Sequence, residues 1–355
     1  MKFHTSIIRA KYRHALAKTA AFIIKAVGTH SKPAPTSTDA AKKFLIIRLD
    51  RVGDMLLSTP VFESIKKNIP GSSVTVLLNR YSRGVLKNNP YIDNVIEYGS
   101  KDYAKSVSSG YDAAVVLTYD FDLSSALACY KSGAAIRAGF KDKYTDAFYN
   151  IEVEKDPQGK YEARRNIELL EKAGFKSSYS KPSLFISADE AAEAGKFYAR
   201  HGLEIKDLVV GLHPGSKRKP RRWPLDSFSS AASILREKHG AKLVISEGPG
   251  ESGLSSRLNS SLGGNVPVLK PSSITGWAAI YKRMNLFICG DTGPVHIAMA
   301  AGTPVVGIYG KSDYSRWAPG DNPKLEILSG RKCADTGVVE VVAAAEKLLA
   351  EQKYK

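Results

Sequence analysis

The sequence predicts an α/β protein made of two similar, doubly wound halves, each with a parallel sheet. Three observations predict it. Short apolar runs alternate with helix-spaced segments along the chain, the pattern of βαβ units and a parallel sheet. The first alternating series runs out near residues 175–207, and a second begins at Leu208. The 355 residues suffice for two domains of about 100–200 residues each.

Taken in order, Phe44–Leu49 is an apolar run with a turn behind it and reads as a buried strand. A helical pattern follows from about Met55 to Asn68, stopped by Pro70-Gly71. Val74–Leu78 and Ala113–Leu117 are the next strands, and Leu123–Lys131 is a helix. Glu162–Ala173 and Ala188–His201 read as helices leading out of this half. The second series has strands at Leu208–Leu212, Lys242–Ile245, Leu286–Cys289 and Pro304–Tyr309. Its helices are expected at Leu225–His239, Glu251–Leu262, Ile274–Met284, around His296–Ala301, and at Gly337–Glu351. Two such halves facing each other would form a deep cleft, with ligands at the C-terminal ends of the strands.

Composition excludes several classes. With 43% hydrophobic and 25% charged residues, neither wholesale disorder nor a collagen-like repeat fits. Cys129, Cys289 and Cys333 lie far apart with no CxxC pair, which argues against a zinc ribbon or disulfide scaffold and for a reducing cytosol. No run approaches the roughly 20 apolar residues that span a bilayer. Lys25 ends the stretch Ala20–Ile24, too short for a secretory core of about 7–15 residues.

The net charge of +17 is unevenly spread. Residues 1–38 hold Lys2, Arg9, Lys11, Arg13, Lys18, Lys25 and Lys32 and no acid. At about 100° per residue, Ile8, Tyr12, Leu16, Ile23 and Val27 share one arc of roughly 100°. Lys11, Lys18 and Lys25 flank it, and Arg9 and Arg13 reach its far edge. Such a basic helix suits an anionic membrane surface. Packing on the domain, a frayed extension and a transit peptide are equally open. Ser31–Ala41, with Pro33 and Pro35, reads as a linker.

Three strand-end motifs carry possible chemistry. In Arg48-Leu-Asp-Arg-Val-Gly-Asp-Met55, Gly53 allows close approach of a ligand to the backbone and Asp54 opens a helix. There Asp54 serves either as a helix cap or as a general base facing a cleft. His213-Pro-Gly-Ser216 follows a strand and precedes five cations in Lys217-Arg-Lys-Pro-Arg-Arg222. Gly215 and Ser216 make a phosphate-accepting turn, and the adjacent cations suit a leaving diphosphate. The alternative is an exposed basic loop or a nucleic-acid patch. In Cys289-Gly-Asp-Thr-Gly-Pro-Val-His296, Asp291 or Thr292 caps, Gly293 exposes the backbone, and Pro294 suits the first helical turn. His296 lies on that turn, either beside an anion or as a structural histidine. Between them, Glu247 or Glu251 can accept from a ribose hydroxyl, as acids do in nucleotide sites, or cap a helix. No GxGxxG follows the first strand, which disfavours a classical dinucleotide fold. Asp120-Phe-Asp122 has the form of a metal-binding DxD, but Asp122 stands where the helix from Leu123 needs a cap.

These motifs, in this order, resemble the lipopolysaccharide heptosyltransferases of glycosyltransferase family 9. The match covers about residues 43–330 and rests on Ile47–Pro60, His213–Ser216 with Arg221-Arg-Trp-Pro224, Gly290–Ala298, and Ser132–Phe140. The resemblance implies a GT-B fold, with two Rossmann-like doubly wound domains facing across a cleft. The chain then divides into a basic amphipathic extension and linker (1–41), an acceptor-binding domain (42–190), a nucleotide-sugar-binding domain (191–335) and a C-terminal helix (336–355). It implies inverting transfer without metal or other cofactor, usually from ADP-L-glycero-D-manno-heptose to the inner core of lipopolysaccharide. The family's catalytic aspartate falls on Asp54 and its phosphate-binding cation near Arg221. Its diphosphate loop falls on Asp291, Thr292 and Gly293, and its histidine on His296. The ribose acid falls on Glu247 or Glu251, of which Glu251 joins the donor set with His213, Gly215, Ser216 and Lys217. Arg51, Arg80 and Arg137, with Arg83, Lys141 and Lys143 beside them, are candidates for phosphates of an anionic glycolipid acceptor.

The expected partners are therefore a nucleotide sugar, the glycolipid and the inner leaflet of the cytoplasmic membrane, with no nucleic acid. Asp54 would take the acceptor's proton in one inverting displacement, unlike the two-carboxylate retaining route. The basic N-terminal extension and the charge of Lys217–Arg222 depart from the family's shorter members. Two alternatives stand beside this reading. A nucleotide-sugar 2-epimerase shares the architecture and needs no acceptor. A nucleic-acid-binding protein would suit pI ≈ 9.6 but would show an aromatic-interleaved basic stripe.

Overall fold

Two six-stranded parallel sheets, one in each half of the chain, carry the fold in the computed structural model, which describes residues 15–26, 37–156, 160–270, 273–310 and 314–352. The first sheet holds β1 (Lys43–Arg48), β2 (Ser73–Leu78), β3 (Asn94–Glu97), β4 (Ala113–Val116), β5 (Ile136–Phe140) and β6 (Ile151–Val153), in the order β3-β2-β1-β4-β5-β6. The second holds β7 (Val209–His213), β8 (Lys242–Ser246), β9 (Val268–Leu269), β10 (Leu286–Gly290), β11 (Val305–Tyr309) and β12 (Leu325–Ser329), in the order β12-β11-β10-β7-β8-β9. Counted from its own first strand, the second sheet repeats the order of the first. Each winds outward from a central pair, β1 beside β4 and β7 beside β10. That pair is where the winding reverses, so loops leaving its C-terminal ends diverge and open a crevice for a ligand.

The central strands are apolar and buried on both faces: Phe44, Leu45, Ile46 and Ile47 of β1, and Leu286, Phe287, Ile288 and Cys289 of β10, are fully buried. Helices on both sides of a parallel sheet demand this composition. The expected central strands and flanking helices stand close to their sequence bounds. The strands that sequence pattern left out are the short or interrupted ones. β5 reads Ile-Arg-Ala-Gly-Phe, broken by Arg137 and by Gly139, where a Cβ would meet the Tyr149 ring at 2.5 Å.

One expected helix is corrected. The pattern from Met55 to Asn68 is two helices, Val52–Leu56 and Thr59–Asn68. Pro60 has no N–H to donate to the carbonyl one turn back, and the Thr59 hydroxyl donates to that Leu56 carbonyl instead, at 2.8 Å. Asp54 lies in the first turn of the short helix right after β1. Asp122 is the cap of the helix Leu123–Lys131, its carboxylate accepting from the Ser125 N–H at 2.8 Å and hydroxyl at 2.7 Å. Among the described residues no group of three His, Cys, Asp or Glu could hold a metal ion.

The chain divides into two compact units. One is built on the first sheet and ends at Pro182; the other begins at Ser183 and also takes in Gly84–Asn88. This line precedes the expected 190/191 and keeps the helix Ala188–Arg200 whole, packed against the helix Ile274–Tyr281. The C-terminal helix Val338–Gln352 lies on the helix Leu225–His239 and buries Val341, Ala345 and Leu348 in the second unit's core.

Near the N-terminus, residues 15–26 are helical. Ala17, Ala21 and Ile24 are buried, and the last two join the first unit's core. The expected apolar arc is therefore not the packed face: Leu16 and Ile23 are exposed. Ile8, Tyr12 and Val27 of that arc, and the linker through residue 36, lie outside the described residues. No described helix is long and apolar enough to cross a membrane. Cys129, Cys289 and Cys333 are free and buried.

Candidate active site

In the first unit the chemistry gathers at the end of β1. Arg48, the last residue of that strand, is fully buried. One terminal nitrogen donates to the Leu117 carbonyl. The other, Nη2, meets Glu162 Oε1 at 2.9 Å and Asp54 Oδ1 at 3.3 Å. Its Nε lies 3.1 Å from Asp50 Oδ2. Glu162, on the helix Glu162–Lys172, also takes Arg165 Nη1 at 3.0 Å, and Arg165 stacks over the Tyr119 ring at 4.1 Å. Two guanidinium groups thus hold three carboxylates in a nearly dry cluster.

Within it the carboxylates differ. Glu162 is sealed, whereas the Asp54 side chain keeps 12% of its surface exposed. Asp54 Oδ2 accepts the Arg51 N–H at 3.0 Å, so both oxygens are oriented by named donors. Burial pushes the Asp50 carboxyl up to about 6, against Arg48, with Asp54 and Glu162 adding to the rise. Burial opposes charge on Arg48 too, but Glu162, Asp50 and Asp54 outweigh it and hold that guanidinium above its ordinary value. Asp54 is the third helical residue, and its bond from the Arg51 N–H caps the helix start, so the expected capping role is present. Arg48 and Glu162 went unassigned in the sequence reading. A cation at the end of the apolar run Phe-Leu-Ile-Ile was a legible signal. Glu162, 114 positions from Arg48, gave none.

In the second unit three strand-end loops meet. β7 and β10 are neighbours, with His213 opposite Cys289, so the His213–Ser216 and Asp291–Gly293 loops leave the sheet side by side. Arg221 Nη1 lies 3.0 Å from Asp291 Oδ2, and a Cβ on Gly290 would meet the Arg221 carbonyl oxygen at 2.5 Å. Only glycine lets the cationic loop settle over the end of β10. Arg222 Nε donates to the Ser216 carbonyl at 2.7 Å, which folds the basic stretch back on its own turn. Trp223 is buried, donates to the Thr336 carbonyl at 2.9 Å and meets Phe228 edge-on at 4.9 Å. That anchor fixes where the loop ends. Lys217 is exposed. Beyond Gly293 lies open space: a Cβ there would meet nothing within 4 Å. The helix Gly293–Ala301 starts at this point with Thr292 as an extended N-cap and Pro294 in its first turn, leaving free N–H groups toward that space.

Glu251 closes the third side. Its carboxylate accepts the Gly248 N–H at 2.8 Å and lies 3.4 Å from His213 Nε2. A Cβ on Gly215 would fall 2.1 Å from the Glu251 Cδ, so that glycine is what admits the acid. Glu247 is engaged otherwise, by the Ser255 hydroxyl and by Lys270 at 3.1 Å. Burial raises the Glu251 carboxyl, opposed by the Gly248 N–H and Arg222.

Two of the expected site residues are engaged within the protein. His213 lies under the loop, not on its outer side: it is buried, with Nδ1 2.8 Å from Ser246 Oγ and its ring against Trp277. The Tyr281 hydroxyl donates to Ser246 Oγ at 2.9 Å, so His213, Ser246 and Tyr281 form one buried polar chain beneath the loop. Arg137 is also buried and donates to the carbonyls of Phe148, at 3.0 Å, and Ala134, at 2.9 Å. Arg51 and Arg80 are exposed. Arg83 pairs with Glu97 at 2.7 Å. His296 is buried, edge-on to Trp317.

Burial pushes the His213 imidazole down to about 4. The unfolded chain binds this proton below about 6.5 and the folded one does not until about 4, so stability falls as pH drops through that window. Replacing His213 by Asn should remove this loss. The wild-type Tm minus the His213→Asn Tm should shrink steadily from pH 6.5 to pH 4 and stay flat above it. A difference independent of pH would mean that the folded state binds the His213 proton as readily as the unfolded chain does.

Residues 102–343 match glycosyltransferase family 9 (heptosyltransferase). The chain belongs to glycosyltransferase family 9. Lipopolysaccharide heptosyltransferase 3 of Escherichia coli K12 is 26% identical over 339 residues, covering 84% of this chain and 96% of the relative. Among solved structures, a family 9 glycosyltransferase from Veillonella parvula superposes with a TM-score of 0.80 at 24% identity, covering 90% of this chain and 99% of that one. The E. coli ADP-heptose lps heptosyltransferase II gives 0.74 at 20% identity, over 88% and 99%. The two repeated sheets of this family 9 glycosyltransferase are the Rossmann-like units of a GT-B fold. Its strand-end clusters are the polar groups that the fold brings to the ligand-bearing ends of both sheets.

Proposed function

We propose that this glycosyltransferase moves a heptose, or a related sugar, from an ADP-sugar to the inner core of lipopolysaccharide or a related glycolipid. ADP-L-glycero-D-manno-heptose is the first donor to test. The transfer inverts the anomeric centre and uses no metal. The relatives support the reaction class, one named for heptosyl transfer to lipopolysaccharide and another for ADP-heptose. The family match favours transfer over 2-epimerisation.

The observation that carries the donor half is the Arg221–Asp291 pair over Gly290, beside the open turn at Gly293. A diphosphate in that space meets Arg221, the Ser216 turn and the amides of Thr292 and Gly293. Well-placed donors of this kind are worth about 2.7–4 kcal/mol each to a developing oxyanion, so side chains and amides take the charge that a metal would otherwise take. Glu251 receives the ribose, because Glu247 is already committed to Ser255 and Lys270.

On the acceptor side Asp54 takes the proton of the attacking hydroxyl as its oxygen closes on the anomeric carbon. The diphosphate leaves with the bonding pair, and one displacement inverts the centre. Arg51 and Arg80 are the exposed cations assigned to acceptor phosphates. A lipid-linked acceptor places this reaction at the cytoplasmic face of the inner membrane.

ADP at 100 times its Kd should stabilise the protein by about 2.7 kcal/mol, read as a rise in Tm. Arg221→Ala should abolish most of that rise at the same ADP concentration and raise the donor KM. If Arg221→Ala alters acceptor kinetics alone, the donor does not bind the second unit as proposed.

A further inference from the structure

The helix over residues 15–26 buries one face and leaves a second apolar face uncovered. Ala17, Ala21 and Ile24 pack inward. Phe22 is 72% exposed, Ile23 53% and Leu16 45%, and Ala15, Thr19 and Ala26 are exposed with them. At about 100° per residue these six share one side of the helix, with no charge among them. Lys18 and Lys25 mark its border, and Lys25 reaches Asp146 of the same unit. The face of Ala17, Ala21 and Ile24 fixes the helix to the protein, and the face of Leu16, Phe22 and Ile23 is turned away from it.

We propose that this outer face is a docking surface for an anionic lipid bilayer. Phe22, Ile23 and Leu16 enter the headgroup–acyl boundary while Lys18, at the border of the face, lies among the headgroups. Charge complementarity selects the occupant. Residues 1–38 carry seven cations and no acid, and each Lys or Arg near an anionic leaflet adds about 1 kcal/mol. A second copy of the chain is disfavoured by the same count: a two-fold contact would set this basic segment against itself. Three large side chains also fall far short of the roughly 800 Å² per partner of a stable interface. The proposal rests on the glycolipid reading only for which membrane is met; the lipid contact does not depend on the transfer chemistry.

The test is vesicle binding by the full chain. Wild type should co-sediment with vesicles of phosphatidylglycerol and phosphatidylcholine, less so as salt rises, and poorly with phosphatidylcholine alone. Leu16→Ser/Phe22→Ser/Ile23→Ser should lower the partition at least about tenfold, with Tm and the ADP-induced rise in Tm unchanged. Because the native cysteines are buried, Phe22→Cys can be labelled with an environment-sensitive dye, whose emission should shift to the blue on adding anionic vesicles. Undiminished sedimentation of the triple variant, or an unshifted dye, would overturn the proposal. So would a wild-type dimer that the serines dissociate without any vesicle binding. An absent ADP response in both proteins, with vesicle binding intact, would sink the donor assignment and leave the docking surface standing.

Discussion

Asp54→Asn is expected to lower kcat by about 10³-fold while the donor KM and the ADP-induced rise in Tm stay near wild type; general bases commonly supply 10²–10⁴-fold. The amide keeps the shape of the carboxylate and its one oxygen can still accept from either Arg51 N–H or Arg48, which hold the two Asp54 oxygens at 3.0 and 3.3 Å. It cannot take a proton. Asp54 is the carboxylate of the Arg48 cluster assigned to this task, because Glu162 is sealed and the resemblance over Ile47–Pro60 puts the family's aspartate at Asp54; Asp50, partly exposed and pushed up to about 6 by burial, is the competing base. A general base must reach its proton, so geometry decides first. Turnover near wild type in Asp54→Asn would remove this residue from the chemistry. A matching loss in Asp50→Asn, with Asp54→Asn active, would move the role to Asp50.

Glu162→Ala should be the most destabilising single change in the first unit, by about 3–5 kcal/mol. Glu162 is fully buried and is the shared counter-ion of Arg48 and Arg165, at 2.9 and 3.0 Å. Removing it leaves two guanidinium groups with too little compensating charge. Arg48 would turn wholly to Asp50 and Asp54, and Arg165 would keep only the Tyr119 face. For a unit of this size that cost lowers Tm by roughly 10 °C. Glu162→Gln should lose less, since it fills the same space and keeps an acceptor oxygen for one of the two arginines. Two units give no assurance of a single two-state transition, so the measurement is the unfolding of the first unit. ADP stabilisation reports whether the second remains intact. A Glu162→Ala protein within about 1 kcal/mol of wild type would mean that Arg48 does not depend on the buried pair.

Much of the fold was legible because parallel strands buried on both faces are continuous apolar runs, and Phe44–Ile47 and Leu286–Cys289 read as nothing else. The short edges were not: β9 has two residues and β6 three, too few for any period to register. The break at Pro60 was visible in the sequence but was outweighed by the apolar spacing around it. At the site, the glycine turns and their cations could be read from strand-end position alone. The roles of His213 and Arg137 could not. Whether such side chains face a ligand or a neighbouring loop depends on Ser246, Tyr281 and Glu251 in one case and on the Ala134 and Phe148 carbonyls in the other. The N-terminal helix shows the same limit: its hydrophobic arc was legible, but the core chose the alanines.

The most direct test of the account is product analysis with ADP-L-glycero-D-manno-heptose and a deacylated inner-core acceptor in the presence of EDTA. One new glycosidic bond per ADP released, with the anomeric configuration inverted relative to the donor by NMR, is the predicted result. A retained configuration, transfer that stops when EDTA is added, or a donor epimerised without any acceptor would contradict it.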